Sequence, residues 1–354
     1  MDQTDGSQGP MQRVGYWWPD KKEKYVSPKV LRKHLREYNL ELVKLDLNWP
    51  LAKQGPFVVV VHKLCEMLVK EIRGDSHAAS ICKQLDELSS SNPRMVILDP
   101  LSSVRAILDR NNQYQTVKSA LDQLEENISV PPFVRLDAAE PDVNIHRVQE
   151  SGLKFPLVCK PIVAQGTEAH IMQLIFNECG LRKLNSFPCI VQQFVPHGSV
   201  LYKVFVVGPT FSVIKRPSFK NIITSSKEDL IEFHSHDISK PDASSPLIDR
   251  EAWHRPDKRG DSLGFSGRLA RAVEAVRQST KQTLCGIDVI VEEQTGRLYV
   301  IDVNNFPGYS GMENFMSEFT RLITASAARA ANSPPARATE VSSATPTNGL
   351  GADI

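Results

Sequence analysis

The chain has 354 residues, 41% hydrophobic and 23% charged, enough to bury a sizeable core in two or three packed units. Its 42 basic and 41 acidic residues leave a net charge of +1, so global charge selects no polyanionic partner and any attraction to phosphate must come from local clustering. No run of about 18 apolar residues occurs, the opening MDQTDGSQGPMQRVG has no apolar core, and the six cysteines at 65, 82, 159, 179, 189 and 285 form no CxxC pair. The expectation is a cytoplasmic monomer with neither membrane nor nucleic acid as partner, its thiols packed as small hydrophobes in reducing surroundings.

Residues 1–11 are rich in Gly, Gln and Asp, and the residues past 332 in Pro, Ala, Ser and Thr; both ends are expected to be disordered. Residues 13–18 read as a strand, Ser27-Pro28 as the N-cap and first-turn proline of a helix reaching Tyr38, 41–45 as a strand and 57–62 as an apolar strand. A helix near 78–88 and a strand at 95–98 follow, and this alternation predicts an open, parallel α/β unit. Two helical stretches, 101–109 and 114–124, lead into short β-branched strands at 156–161, 189–195, 201–207 and 211–215, with a helix expected at 168–179. That region reads as mixed and largely antiparallel. The polar stretch 218–261 reads as a lid or binding loop, 266–284 as an amphipathic helix, and 312–331 as a closing helix.

Between the last two helices lies GIDVIVEEQTGRLYVIDVNNFPGYSG, residues 286–311. Two alternating apolar runs joined through Gln294-Thr295-Gly296 predict a β-hairpin with a glycine turn. Asp288 and Asp302 interrupt those runs, and a buried carboxylate is costly unless a cation or hydrogen-bond donors compensate it. Asn304 follows Asp302 at the spacing that returns to the same face of a strand. Three hard oxygen ligands without Cys or His suit magnesium, with phosphates completing its shell. Lys160 ends an apolar strand ahead of the small-residue loop Val163-Ala164-Gln165-Gly166-Thr167, which could offer backbone N–H groups to a phosphate, although it is no Walker loop. Lys203 is a charge inside an apolar strand, and a snorkelling surface lysine is an alternative there. Lys21-Lys22-Glu23-Lys24 and His62-Lys63 follow strands of the first unit and would share one rim, which Arg216 and Lys220 could extend; a solvated loop is the alternative for the lysine run. His234-Ser235-His236 has no third metal ligand nearby in sequence.

These segments together resemble the inositol-tetrakisphosphate 1-kinase (inositol 1,3,4-trisphosphate 5/6-kinase) family of the ATP-grasp superfamily. The resemblance runs from about Arg13 to Thr324 through RVGYWW, HKL, LDPLSSVRAILDR, LVCKPIVAQGT, VLYKVFVVG, KRPSFKN and the hairpin. It implies an α/β chain in which an ATP-grasp fold, two α+β subdomains clamping ATP, is preceded by an N-terminal open α/β domain. The implied division is an inositol phosphate-binding domain at 12–110, a central ATP-grasp subdomain at 111–195 and a C-terminal one with the magnesium site at 196–331.

By the same resemblance Arg110 and Lys160 look like ATP contacts, Gln192 to Lys203 like the nucleotide-lining strand and hinge, and Ser218, Ser235 and Ser239 like further nucleotide contacts. Asp288, Asp302 and Asn304 look like magnesium ligands, and Lys22, Lys63, His170, Lys203, Asn304 and Gly308 like the inositol phosphate site. Lys203, His170 and Asp302 are the candidate catalytic residues. Two departures stand beside the implied substrate pocket: Gln165 where relatives commonly have a histidine, and Ala169 where a serine often precedes His170. The implied reaction is magnesium-dependent transfer from ATP to a ring hydroxyl of an inositol polyphosphate. Four phosphates carry roughly −6 to −8 near neutral pH and need several cations, a demand an amino-acid-sized substrate would not make. His170 could orient or deprotonate the hydroxyl, or have a phosphate-binding or structural role. An ATP-grasp carboxylate–amine ligase and an inactive nucleotide-binding scaffold are the alternatives.

Overall fold

A computed structural model describes residues 10–124, 126–222, 228–249, 251–252 and 264–332. The expected disorder at 1–9 and 333–354, and parts of the 218–261 stretch, lie outside the described residues. Strands β1 (Gln12–Trp17), β2 (Leu40–Lys44), β3 (Val59–His62) and β4 (Val96–Leu98) form one parallel sheet in the order β2-β1-β3-β4. The helix Pro28–Arg36 that returns the chain from β1 to β2 starts at Ser27, whose side chain accepts from the Val30 N–H, with Pro28 in its first turn. The carboxyl ends of β1 and β3 share one rim, which brings Lys22 and Lys63 to the same side.

Among the described residues ten further strands follow: β5 (Ile128–Ser129), β6 (Phe133–Leu136), β7 (Leu157–Pro161), β8 (Ile171–Ile175), β9 (Cys189–Gln193), β10 (Val200–Val207), β11 (Thr210–Pro217), β12 (Leu230–His234), β13 (Leu284–Val291) and β14 (Leu298–Asn305). They make two five-stranded sheets, β11-β10-β13-β14-β5 and β12-β8-β7-β9-β6, antiparallel at every pairing except β14 with β5. The turn between β13 and β14 contains Gly296 at φ 67°, a conformation that favours glycine. Among the described residues no helix is long and apolar enough to cross a membrane.

The parallel sheet and the β13 sheet share one core. Val14, Trp18 and Leu31 cluster with Phe205, Leu284, Phe306 and Phe319. The β7 sheet has its own core around Leu157, Ile175, Leu181 and Val191. The fold therefore has a large body made of the first and last parts of the chain, a smaller body between them, and a cleft where the two meet.

Several elements differ from the sequence expectation. The helix expected at 168–179 is β8, because Ile171 to Ile175 pairs with both β7 and β12; so short an apolar run carries no period that separates helix from buried strand. The helix Arg110–Asp122 and β5, grouped above with the central unit, lie on the other body: Tyr114, Val117, Leu121 and Ile128 pack against Val204, Ile287 and Val303. β6, β12 and the helix Pro141–Glu150 are further elements that the sequence pattern above does not predict. Phe319 is 0% exposed in the shared core, so Phe319→Ala is expected to cost about 3–5 kcal/mol. Denaturation followed by tryptophan fluorescence and by far-UV dichroism should show both midpoints falling together; a shift in only one would mean that the parallel sheet and the β13 sheet unfold independently.

Candidate active site

The hairpin sets Asp288 of β13 opposite Asp302 of β14, and β10 on the other side of β13 sets Lys203 opposite Asp288. Register partners on adjacent strands point to the same face, so the three charges form a row across the sheet. Lys203 Nζ lies 3.0 Å from one Asp288 carboxylate oxygen and donates to the other at 3.1 Å. Asn304 returns to the face of Asp302 and donates its Nδ2 to Asp302 Oδ2 at 3.1 Å. Burial pushes the Asp288 carboxyl pKa up; Lys203 opposes that rise and Asp302 adds to it. Asp302 Oδ1 is buried without a hydrogen-bond partner among the described residues. An orphaned carboxylate oxygen, a second carboxylate resisting ionisation and a neighbouring carboxamide oxygen are a donor set that fits a hard divalent cation.

Side chains from a helix hold the backbone of this row. β14 has β5 beside it only at Leu298 and Tyr299, and a register shift after Asp288 leaves Ile301 without a partner in β13. Beyond that point Gln113, fully buried, donates to the Val303 carbonyl at 2.8 Å and accepts from the Val303 N–H at 3.1 Å. Tyr114 Oη donates to the Ile301 carbonyl at 2.9 Å. The carboxamide of Gln113 thus takes the place of a neighbouring strand between Asp302 and Asn304. Gly286 lies opposite Asn304, and a Cβ there would stand 3.1 Å from Pro307, so glycine lets the turn after β14 fold back over β13.

Lys160, at the end of β7, reaches across from the smaller body. Its Nζ donates to Tyr114 Oη, Gln192 Oε1 and the Ile301 carbonyl at 2.9, 2.9 and 3.0 Å, and burial brings its pKa down to about 8. Gln192 Nε2, beside the same cleft, is buried without a partner among the described residues. Arg110 donates to the carbonyls of Pro161 and Ala169, anchoring the loop after β7 to the larger body. Val158, Met172, Ile290 and Ile301 give the cleft apolar walls that suit an aromatic base. Ser218, Ser235 and Ser239 line it. Ser218 Oγ is 2.7 Å from Nε2 of His197, whose Nδ1 faces the Val195 carbonyl at 2.6 Å; Nδ1 is therefore the donor, and Nε2 accepts from the serine.

Lys63, His170, Asn304 and Gly308 also line the cleft, with Lys63 Nζ donating to the Asn305 carbonyl. His170 Nδ1 is 3.1 Å from Ser235 Oγ, and its pKa is lowered by burial and then by His234. Gln165 lines the cleft too, whereas Ala169 is buried behind it at a separate cavity.

Lys22 lies under the turn after β14, donating to the carbonyls of Phe306 and Pro307 at 3.0 and 2.7 Å and standing 3.7 Å from the Phe306 ring centre. Burial, followed by the Lys63 charge, holds its pKa well below the usual lysine range. Arg216 and Lys220 do not extend the rim, because their side chains donate to the carbonyls of Ser310 and Pro246. His234 and His236 do have a third imidazole beside them, His170, with ring centres 5.5 and 4.2 Å away. Even so, no group of three His, Cys, Asp or Glu among the described residues is arranged to hold a metal.

The family model described as the inositol 1,3,4-trisphosphate 5/6-kinase pre-ATP-grasp domain matches residues 13–104, and the one described as the ATP-grasp domain of the same kinase matches 122–325. The chain belongs to the inositol 1,3,4-trisphosphate 5/6-kinase family. Inositol-tetrakisphosphate 1-kinase of Xenopus laevis is 37% identical over 319 residues, 88% of this chain and 78% of that one; its counterpart in Danio rerio is 35% identical over 315 residues, with the same coverage. Among solved structures, D-cycloserine synthetase superposes with a TM-score of 0.58 at 12% identity over 89% of this chain and 99% of that one. D-alanine–D-alanine ligase from Bacillus anthracis in complex with ATP gives 0.52 at 15% identity over 90% and 97%. The fold is ATP-grasp. The family match makes the chain an inositol phosphate kinase and decides against the carboxylate–amine ligase.

For this ATP-binding kinase family the Lys160 pKa has a testable consequence. Below about pH 8 the free protein carries the ammonium, and as pH rises through that value the charge is lost. ATP affinity should fall by about tenfold from pH 7 to pH 9 in calorimetry, and Lys160→Arg should remove the dependence because guanidinium stays protonated. An equally steep fall in the arginine variant would assign the titration to another group.

Proposed function

We propose that the protein transfers the γ-phosphoryl group of ATP, with magnesium, to a ring hydroxyl of an inositol polyphosphate. The acceptors would be inositol 3,4,5,6-tetrakisphosphate at position 1 and inositol 1,3,4-trisphosphate at position 5 or 6. The observation that supports this reading is the cross-strand row of Lys203, Asp288 and Asp302 in a cleft that Lys160 and Lys63 also line. Asp288, Asp302 and Asn304 would hold magnesium, which when bound neutralises and orients the phosphate oxygens. Lys160, Gln192, Arg110, Ser218, Ser235 and Ser239 would bind and orient ATP. Lys63, Lys203, His170, Asn304 and Gly308 would face the inositol phosphate; Lys22 instead supports the turn that carries Gly308.

Phosphoryl transfer passes through a loose transition state, so positioning and charge neutralisation carry most of the catalysis. Lys203 is suited to meet charge developing on the transferred group, since Asp288 holds its ammonium in the row. His170, with its pKa lowered, is an uncharged imidazole near neutral pH, and Ser235 fixes its ring so that it can accept a hydrogen bond from the attacking hydroxyl. The reading extends to a cytoplasmic monomer, supported by six free thiols, five of them buried.

Incubation with magnesium-ATP and a panel of inositol tris- to hexakisphosphates, resolved by charge and position, should yield products with one added phosphate from the two acceptors above. Asp302→Ala should lower turnover by about a hundredfold or more while the variant keeps its parent melting temperature. A panel in which no inositol phosphate is consumed, or Asp302→Ala at near-parent turnover, would contradict the proposal.

A further inference from the structure

The two bodies meet at the cleft, but the two sides that must come into register for transfer, the lysine rim of the parallel sheet and the row on the hairpin, lie within the larger body. Asn305 joins them. It ends β14 next to Asn304, is 1% exposed, and points to the face opposite Asn304. Its carboxamide is partnered on both sides: Oδ1 accepts from Cys65 Sγ at 3.1 Å, and Nδ2 donates to Gln282 Oε1 at 2.8 Å and to Asp99 Oδ2 at 3.5 Å. Its main-chain carbonyl accepts from Lys63 Nζ.

The partners are themselves fixed. The Asp99 carboxylate accepts from the N–H groups of Thr283 and Leu284, where β13 starts, at 2.8 and 3.0 Å. The Asp99 carbonyl accepts from His62 Nε2 at 2.7 Å, and His62 Nδ1 accepts from the Leu64 N–H. The loop after β3 that bears Lys63 is thus tied on both flanks, at His62 and Cys65, to the start of β13 and the end of β14. A buried network with its carboxamide satisfied on both sides fixes one geometry, because every alternative strands a polar group out of water.

We propose that Asn305 is a positioning residue for the reaction: it sets the Lys63 ammonium at a fixed place relative to Asp302 and Asn304, so that a substrate phosphate held by Lys63 presents its ring hydroxyl to the transferred group. It acts through Lys63: Asn305 borders the cleft, but its carbonyl is engaged by Lys63 and its carboxamide by Cys65, Gln282 and Asp99. This rests on the assignment of Lys63 to the inositol phosphate side.

The test compares steady-state constants of Asn305→Ala, Lys63→Ala and the double variant, with Cys65→Ala as a milder probe of the same network. Asn305→Ala should raise KM for the inositol phosphate about tenfold and leave KM for ATP within about twofold, the split expected when substrate orientation alone is lost. In the Lys63→Ala background it should add less than about twofold, because the two residues act as a unit. Cys65→Ala should shift the same constant in the same direction by a smaller factor. A Lys63→Ala variant with parent KM for the inositol phosphate would overturn the site assignment itself. If Lys63→Ala behaves as assigned but Asn305→Ala raises both KM values equally, or is fully additive with Lys63→Ala, the positioning role is overturned. Should Asn305→Ala fail to fold, Cys65→Ala decides: an unchanged KM for the inositol phosphate contradicts the role.

Discussion

Two carboxylates side by side on adjacent strands, in the wall of a half-closed cleft, are the constraint on which the rest of the site depends. Like charges that close are mutually destabilising, and burial raises the cost. Lys203 offsets part of it through Asp288, but Asp302 Oδ1 has no donor among the described residues. A row held at this electrostatic disadvantage is poised for a cation, and a cation that arrives with a polyphosphate brings the negative charge that Lys160, Lys63 and Lys203 are placed to meet. On the proposed function, the near-neutral chain would bind highly charged ligands by local arrangement, its cations converging from three different sheets.

Such a row works only if its backbone cannot relax. On the side away from β13, β14 has no strand neighbour where Asp302 and Asn304 lie, and an unpaired strand edge is ordinarily the softest part of a sheet. Gln113, Tyr114 and Lys160 restore its main-chain hydrogen bonds from the side. At the far end the turn places Phe306 at φ 37° and Tyr309 at φ 55°, a left-handed conformation that costs roughly 1–3 kcal/mol for residues other than glycine. It persists because Phe306 is buried against Trp18, Tyr309 and Phe319 while Lys22 holds two of the turn's carbonyls. A lysine that sequence spacing assigns to the ligand rim thus serves the scaffold beneath it.

What could be read from the sequence follows the range of the interactions. The hairpin was legible because its evidence is local: two alternating runs, a glycine turn, and acidic residues where the pattern calls for apolar ones. The start of the helix Pro28–Arg36 was legible for the same reason, since Ser27 and Pro28 act within one turn. β8 was misread because its length gives no period and its neighbours in the sheet decide its state. Gln113 and Asn305 carry no signal at all in sequence. Each is an ordinary polar residue whose partners lie on other elements: the distance along the chain is 190 residues for Gln113 and Val303, and 240 for Cys65 and Asn305. The burial of Lys22 belongs to the same class, set by a turn 284 residues away.

The claim that Asp288 and Asp302 form a single cation site with bound nucleotide is tested most directly by manganese binding, followed by electron paramagnetic resonance in the presence of ADP. The parent should bind manganese tightly, and Asp288→Asn with Asp302→Asn should weaken that binding by at least about tenfold while the apolar walls of the cleft still retain ADP. A double variant that binds manganese as the parent does would contradict the account.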